Sequence, residues 1–222
     1  MTVAEKIALV RERMAVACSR AGRPTEEVTL VGVSKGRGAD VVAEALEAGL
    51  QDVGENRVQE AAGKIETLAA LGYRPRWHLV GHLQRNKIKT ALPLFAIIQS
   101  VDSVRLAQEL SRRAREPVPI LLQVNVAQEA SKFGFAPQEA GEAVGAVRRL
   151  PNIDLRGLMT VAPQTDDPER LRPVFRELRA LRDGLGLREL SMGMTDDFEV
   201  AIEEGATIVR VGRAIFGPRA AA

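Results

Sequence analysis

Short apolar runs alternate with amphipathic stretches along almost the whole chain. The runs are rich in Val, Ile and Leu, which is typical of buried strands, and the stretches between them carry apolar residues at helical spacing. An opening helix is predicted over 3–21, ending at Gly22 and Pro24. A longer loop, 131–135, follows the fifth strand. The predicted strands are 28–34, 51–53, 76–80, 95–99, 119–124, 155–159, 189–191 and 207–211.

This order of elements predicts an α/β fold. Eight strands, each followed by a helical stretch with no low-complexity linker, indicate a (β/α)8 TIM barrel with an extra N-terminal helix. The barrel would occupy 1–222 as a single domain. A doubly wound open sheet is the second interpretation, although such sheets have fewer strands. No G-x-G-x-x-G follows a predicted strand, so a dinucleotide-binding sheet has no positive support.

Composition favours a soluble globular protein. The chain has 222 residues, 45% of them hydrophobic, and 31 basic residues nearly balance 29 acidic ones. No basic stripe suggests nucleic acid, and no apolar run approaches the roughly 18 residues of a membrane span. The single cysteine, Cys18, fits a reducing compartment, and the N-terminus lacks the apolar core of a signal peptide. We therefore expect a cytoplasmic protein that binds neither nucleic acid nor membrane.

Lys35 is the first candidate functional residue. It ends the first predicted strand and precedes Gly36-Arg37-Gly38. A lysine at the mouth of a packed core can have its pKa lowered by desolvation, which is how Schiff-base lysines become nucleophilic. The alternative is a solvated surface charge, the commonest role of a lysine.

Active sites of barrels form where the strands end, so the residues at the predicted carboxyl ends are candidates for binding. They are polar, and one of them is a nucleophilic amine. The candidates are Lys35, Asn56, His82, Ser100, Asn125, Thr160, Ser191 and Gly212.

The last two predicted strands suggest a phosphate site, because barrels frequently bind phosphate in the loops after strands 7 and 8. Gly193 lets the backbone approach an anion, and Ser191 and Thr195 offer hydroxyl groups. Gly212-Arg213 again places a glycine beside a cation. An ordinary turn with a helix cap at Thr195 or Asp196 explains the first of these segments equally well.

Arg210 lies within the last predicted strand. It shares pleat parity with Ile208 and Gly212, so one register directs its guanidinium into the barrel, where it would need a ligand or a carboxylate. The opposite register lets it reach solvent between helices. The two histidines, His78 and His82, lack the partner spacing of a zinc site, so no metal centre is expected.

Several long motifs in order resemble the family of small pyridoxal phosphate homeostasis proteins. The matching segments are Val33-Ser34-Lys35, Gly54-Glu55-Asn56-Arg57-Val58-Gln59-Glu60, Trp77-His78-Leu79-Val80-Gly81-His82-Leu83-Gln84-Arg85-Asn86-Lys87, Gln99-Ser100-Val101-Asp102-Ser103, Arg156-Gly157-Leu158-Met159, Leu190-Ser191-Met192-Gly193-Met194-Thr195-Asp196-Asp197 and Val209-Arg210-Val211-Gly212-Arg213-Ala214-Ile215-Phe216-Gly217.

The resemblance implies a barrel like the N-terminal domain of alanine racemase, with pyridoxal 5'-phosphate (PLP) as an internal aldimine on Lys35. It implies that Arg210 approaches the pyridine nitrogen. It also implies further binding residues, with Asn56 and His82 near the ring and the phosphate held by the loops that carry Ser191, Gly193, Thr195, Gly212 and Arg213. The family commonly has a threonine and then a proline shortly after its lysine. This chain has Gly36-Arg37-Gly38 there, which predicts a looser loop.

Three functions follow from these residues. The first is a non-catalytic, monomeric carrier that binds, buffers or delivers PLP, with PLP-requiring apoenzymes as recipients. The second is a weak amino-acid racemase in which His82 is the second base, and the third is a cofactor-free Schiff-base aldolase. The carrier is favoured because an arginine at the pyridine nitrogen weakens the ring as an electron sink. Racemase-like enzymes also bring a facing tyrosine from a separate β domain. Here the chain ends five residues after Gly217, and Tyr73 is predicted at the opposite end of the barrel.

Overall fold

Eight parallel strands close into a barrel in chain order in the computed structural model, which describes residues 1–129, 132–165 and 167–218. Ser131 of the predicted loop and the last four residues of the predicted domain lie outside the described residues. The strands are β1 (Thr29–Val33), β2 (Asp52–Glu55), β3 (Arg76–Leu79), β4 (Ile97–Val101), β5 (Val118–Gln123), β6 (Ile153–Met159), β7 (Glu189–Ser191) and β8 (Ile208–Val211). Because β8 pairs with β1, the predicted (β/α)8 barrel is confirmed and the open sheet is wrong.

Helices surround the barrel and cover its outer face. They are α1 (Val3–Arg20), α2 (Ala39–Glu47), α3 (Val58–Ala70), α4 (Ile88–Ala91), α5 (Val104–Arg113), α6 (Ala140–Val147), α7 (Arg172–Gly184), α8 (Phe198–Glu203) and α9 (Arg213–Phe216). The predicted extra N-terminal helix is α1, which begins with a capping box between Thr2 and Glu5 and packs against α2, α8 and α9. Among the described residues, no helix has the length and apolarity needed to cross a lipid bilayer.

The side chains of the strands divide between two layers. Most of the apolar core lies between the strands and the helices, whereas a small second cluster fills the barrel interior. That interior cluster consists of Val31, Ile97, Leu121, Met159 and Ile208. Since Ile208 faces inward and side chains alternate along a strand, Arg210 faces inward as well.

One predicted strand is displaced. The fourth strand was expected over 95–99 but runs from Ile97 to Val101. The N–H of Phe95 donates to the carbonyl of Ala91, so Phe95 belongs to the turn that ends α4 rather than to the strand. Apolar character alone does not distinguish these two roles, because Phe95 is buried in either case.

Candidate functional site

A cavity of about 360 Å³ opens at the carboxyl end of the barrel. Ligand sites of small molecules usually have volumes of about 300–1,000 Å³. The cavity is bounded by the ends of β1, β2 and β8 and by the loop between β7 and α8. Its lining residues are Val33, Lys35, Arg37, Asn56, Val80, Val161, Met194, Thr195, Asp196, Arg210, Gly212, Arg213, Phe216 and Gly217.

The structure brings six of the predicted site residues together around this cavity. They are Lys35, Asn56, Thr195, Arg210, Gly212 and Arg213. With Arg37, four of the lining residues are cations, and Asp196 is the one carboxylate among the residues that line it. The cavity therefore carries a positive charge suited to an anion such as a phosphate.

Lys35 lies two residues after the end of β1, at the mouth of the cavity. The preceding residue, Ser34, is fully buried, but Lys35 itself is exposed. The predicted position at the strand end is therefore correct, while the expected desolvation of the ammonium is wrong. The buried cation of the site is Arg210 instead.

Arg210 lies inside the barrel with only 5% of its surface exposed. Its Nη1 donates to Ser191 Oγ at 2.6 Å and its Nη2 donates to the Thr160 carbonyl at 2.7 Å. Burial lowers the pKa of Arg210 to about 10, and the charge of Asp197 opposes this shift. The guanidinium remains a cation at neutral pH. In the described part of the chain it has no ion pair within 4 Å, so a ligand that accepts hydrogen bonds would be stabilised beside it.

Ser191 does not line the cavity. It is fully buried, accepts from Arg210, and donates to Gln99 Oε1 at 2.6 Å. Ser191 was predicted to contact the phosphate, but its hydroxyl lies below the wall of the cavity and is hydrogen-bonded to Arg210 and Gln99. Its position supports Arg210 rather than a ligand.

A chain of hydrogen bonds continues from Gln99 across the barrel. Gln99 Nε2 lies 2.8 Å from His78 Nδ1, and His78 Nε2 lies 2.9 Å from Asp52 Oδ1. Arg76 donates twice to Asp52, at 2.7 Å each. Because Arg210 donates to Ser191 and Ser191 donates to Gln99 Oε1, the Gln99 amide nitrogen is directed at His78 Nδ1, and His78 Nε2 is left to contact Asp52.

Gly193 is required by packing rather than by access to the cavity. Its φ is +90°, and a Cβ there would lie 2.6 Å from the Cβ of Ala201 on α8. Its carbonyl accepts from the backbone N–H of Arg210 at 3.0 Å. Gly193 therefore fixes the turn after β7, and it does not line the cavity.

The predicted phosphate loops meet at the cavity wall through Thr195, Gly212 and Arg213. Arg213 Nη2 contacts both carboxylate oxygens of Asp196 at 2.5 Å, so this cation is partly neutralised on the surface. Thr195 Oγ1 accepts from the N–H of Ala214 at 3.5 Å, which joins the two loops. A Cβ at Gly212 would lie 3.2 Å from the Val33 carbonyl, so glycine keeps this wall open.

His82 lies outside the cavity. Its Nδ1 lies 2.8 Å from Asp102 Oδ2, and its ring stacks on Phe133 with centroids 4.3 Å apart. It borders a separate cavity of about 320 Å³ that shares Asn56 with the first one. Asn56 lines both cavities, whereas His82 lines only the second, although both residues lie at strand ends. The position of His82 in the sequence does not indicate that its ring contacts Asp102 and Phe133.

Several lining or supporting residues were not predicted as site residues. Arg37 lines the cavity and donates to the carbonyl of Gly217 at 2.6 Å and to that of Pro218. Gln99 lies in one of the matched motifs, which is the signal that could have identified it. Arg37 falls where the sequence departs from the family pattern, so the motifs gave no signal for it.

Comparison with known proteins agrees with this fold. Residues 8–220 match the family described as "Alanine racemase, N-terminal domain". The alanine racemase of Corynebacterium glutamicum has a similar fold, with a TM-score of 0.72 at 19% identity over 98% of this chain and 63% of its own. The chain is thus a barrel of the alanine racemase N-terminal-domain class.

Closer relatives narrow this class. The "Pyridoxal phosphate homeostasis protein" of Aquifex aeolicus is 43% identical over 228 residues, covering 99% of each chain. The protein of the same name from Pseudomonas aeruginosa is 45% identical, covering 98% of this chain and 96% of its own. The structure of PipY from Synechococcus elongatus "with PLP bound" has a TM-score of 0.84 at 34% identity, over 97% of this chain and 100% of its own. The chain belongs to the family of pyridoxal phosphate homeostasis proteins, as its motifs indicated.

Proposed function

We propose that this chain binds PLP in the cavity at the carboxyl end of the barrel and acts in intracellular PLP homeostasis as a non-catalytic carrier. The observation that carries the proposal is the pairing of Lys35 at the cavity mouth with Arg210 buried beneath it. Sites for this cofactor use a lysine that joins its aldehyde and commonly an aspartate or arginine beside its ring nitrogen, and this cavity offers a lysine and an arginine. The names of the relatives support the same role.

The residues present fit the cofactor. Thr195, Gly212 and Arg213 form the part of the wall where the phosphate would be held, and the absence of a Cβ at Gly212 leaves space beside the backbone. Arg210 would donate to the pyridine nitrogen, since its remaining N–H groups have no carboxylate within 4 Å among the described residues. Lys35 Nζ would hold the aldehyde carbon.

When bound, PLP supplies an aldehyde that condenses with an amine and a ring that withdraws electrons. Arg210 weakens the second property, because a guanidinium only donates hydrogen bonds and does not stabilise a protonated pyridine nitrogen. The residue holds the ring in place and does not enhance its electron withdrawal. This favours a carrier over a catalyst.

The positions of other acid and base groups support the same conclusion. Racemisation needs a second acid or base opposite Lys35, and His82 is turned toward Asp102 and Phe133 outside the cavity. The Tyr73 hydroxyl donates to Glu47 at 2.6 Å, beside the start of β3 at the other end of the barrel. These positions weigh against the racemase alternative, although the chain shares the fold of the alanine racemase N-terminal domain.

We also propose the extent of the domain, its oligomeric state, its compartment and the proteins that receive the cofactor. The chain forms one PLP-binding domain over 1–222 and works as a cytoplasmic monomer that passes the cofactor to PLP-requiring apoenzymes. Cys18 is a buried free thiol, which supports a reducing compartment.

Titration of the purified chain with PLP tests the proposal. The unaltered chain should develop the visible absorption band of a cofactor joined to a lysine, and Lys35→Ala should abolish that band. Lys89→Ala on the exposed surface of α4 is the matched control and should retain it. A band that survives in Lys35→Ala would refute the assignment of the anchor, and the absence of any band would favour the aldolase alternative.

Hydrogen exchange at Cα of alanine in deuterated water separates a carrier from a racemase. With the PLP-loaded chain, we expect no exchange beyond that caused by the same concentration of free PLP. Exchange at catalytic rates that depends on the protein would refute the carrier and support the racemase. The measurement follows the α proton by nuclear magnetic resonance.

A further inference from the structure

Two side chains of α3 hold the backbone on both sides of Lys35. Lys64 Nζ donates to the carbonyl of Ser34 at 2.7 Å, and Glu60 Oε1 accepts from the N–H of Gly36 at 2.5 Å. The first group belongs to the peptide unit that enters Lys35, and the second belongs to the peptide unit that leaves it. Because these two planes define φ and ψ of Lys35, α3 restrains the direction in which its side chain departs.

Lys64 joins these contacts into one cluster. Besides Ser34, its Nζ donates to Glu55 Oε1 at 2.5 Å and to Glu60 Oε1 at 2.9 Å. Each of the three N–H bonds of the ammonium therefore has an acceptor. Lys64 is only 7% exposed. Lysine is almost never buried without a partner, and these acceptors are the partners of Lys64. Its charge is committed to the interior of the protein.

Glu55 forms the floor of this cluster. It is fully buried and accepts from Ser34 Oγ at 2.5 Å as well as from Lys64. Its other oxygen, Oε2, is buried and has no hydrogen-bond partner. Burial raises the pKa of Glu55, although Lys64 and Ser34 oppose the shift.

A buried ionic cluster of this kind contributes little to stability compared with apolar residues of the same size. The stability of the fold therefore does not explain this cluster, whereas its two backbone contacts beside Lys35 do. The same face of α3 offers apolar neighbours, Ala61 and Leu68, that pack into the core without any such cost.

We propose that Lys64, Glu55 and Glu60 are positioning residues that fix both peptide planes of Lys35 and so hold its Nζ at the cavity. The proposal rests on the proposed function, since it assigns these residues to the site that binds PLP. None of the three lines the cavity, so they act on the cofactor through Lys35. Their contacts are made within the chain itself, which allows a test on the protein alone.

Amide hydrogen exchange of the cofactor-free chain is the first part of the test. Glu60→Gln and Lys64→Met should increase the exchange rate of the Gly36 amide by about tenfold or more, as expected for loss of a hydrogen bond to a charged acceptor. Lys89→Met is the matched control and should leave that rate unchanged. Unchanged exchange at Gly36 in both cluster variants would overturn the proposal.

Binding of PLP in a double-mutant cycle is the second part. Lys64→Met should raise the Kd for PLP by about tenfold when Lys35 is present and by less than about twofold in the Lys35→Ala background. An equal loss in both backgrounds would show a merely structural role and would overturn the proposal. If Lys64→Met does not fold, Glu60→Gln completes the same cycle.

The two experiments distinguish a failure of the cluster proposal from a failure of the proposed function. Failure of the unaltered chain to bind PLP would refute the proposed function, whereas the exchange rate of the Gly36 amide would still decide whether the cluster restrains the backbone of Lys35. Normal PLP binding with no coupling between Lys64 and Lys35 would refute the cluster alone.

Discussion

Arg210 is a buried cation that the protein holds with neutral partners. Its hydrogen bonds go to a hydroxyl and a carbonyl, on Ser191 and Thr160, and Asp197 affects it only through its charge at a distance. Burial lowers the pKa of Arg210 to about 10, because the interior solvates the charge less well than water does. Such a residue is explained by what it binds rather than by what it adds to stability.

Replacement of Arg210 separates binding from stability. Arg210→Met should raise the Kd for PLP at least tenfold, because the partner of the ring nitrogen is lost. The free energy of unfolding should change by no more than about 1 kcal/mol, since removal of a poorly solvated charge offsets the two lost hydrogen bonds. Urea unfolding and PLP titration measure the two quantities. Arg188→Met on the surface is the control, and a large loss of stability in Arg210→Met would contradict this explanation.

The sequence identified the site residues whose position follows from strand order alone. Lys35, Asn56 and Gly212 each end a strand, and parallel strands bring their carboxyl ends together. The inward orientation of Arg210 depended on the register with which β8 closes against β1, which the sequence left open. The orientation of His82 depended on Asp102 and could not be deduced from a strand end.

At the scale of elements, β2, β3, β4, β7 and β8 are linked by the polar chain that crosses the barrel. Asp52 on β2 anchors its far end. Burial alone would raise the pKa of Asp52, but hydrogen bonds from His78 and Arg76 outweigh it and hold the pKa below its ordinary value. Protonation of Asp52 would therefore weaken the chain from the end opposite Arg210.

The pH dependence of stability should reveal this contribution. A carboxyl group whose folded-state pKa is lowered stabilises the fold above its unfolded-state value, here 3.8, and this stabilisation is lost as the pH falls through the folded-state pKa. Asp52→Asn should therefore be less stable than the unaltered chain at pH 6, and the difference should shrink below pH 3.8. Urea unfolding at both pH values measures it.

Glu116→Gln, an exposed loop carboxyl, is the control for this series and should show no such convergence. A difference in stability between Asp52→Asn and the unaltered chain that is independent of pH would contradict the role of the ionised carboxyl.

The strands were predictable from the sequence, but the surroundings of one helix residue, Lys64, were not. The alternation of apolar runs and amphipathic stretches was sufficient to predict eight strands, although the fourth lies two residues further along the chain than predicted. The buried position of Lys64 on α3 was not predictable. Helical spacing suggests a solvated lysine there, and only the approach of α3 to Glu55 and to the end of β1 reverses that expectation.

For the whole molecule, one barrel carries the cationic cavity at its carboxyl end and the anchor of the polar chain at the other. The side chains that a racemase would need opposite Lys35 are turned away or lie at the far end. The molecule thus places a lysine and a buried arginine at one cavity, while His82 and Tyr73 lie outside it.

Borohydride reduction of the PLP-loaded chain, followed by peptide mapping, tests the assignment of Lys35 as the PLP anchor most directly, because it fixes the cofactor to the amine that holds it. We expect one modified residue, Lys35, with modification lost in Lys35→Ala. Modification concentrated on another lysine, or spread over several surface lysines without preference for Lys35, would contradict it.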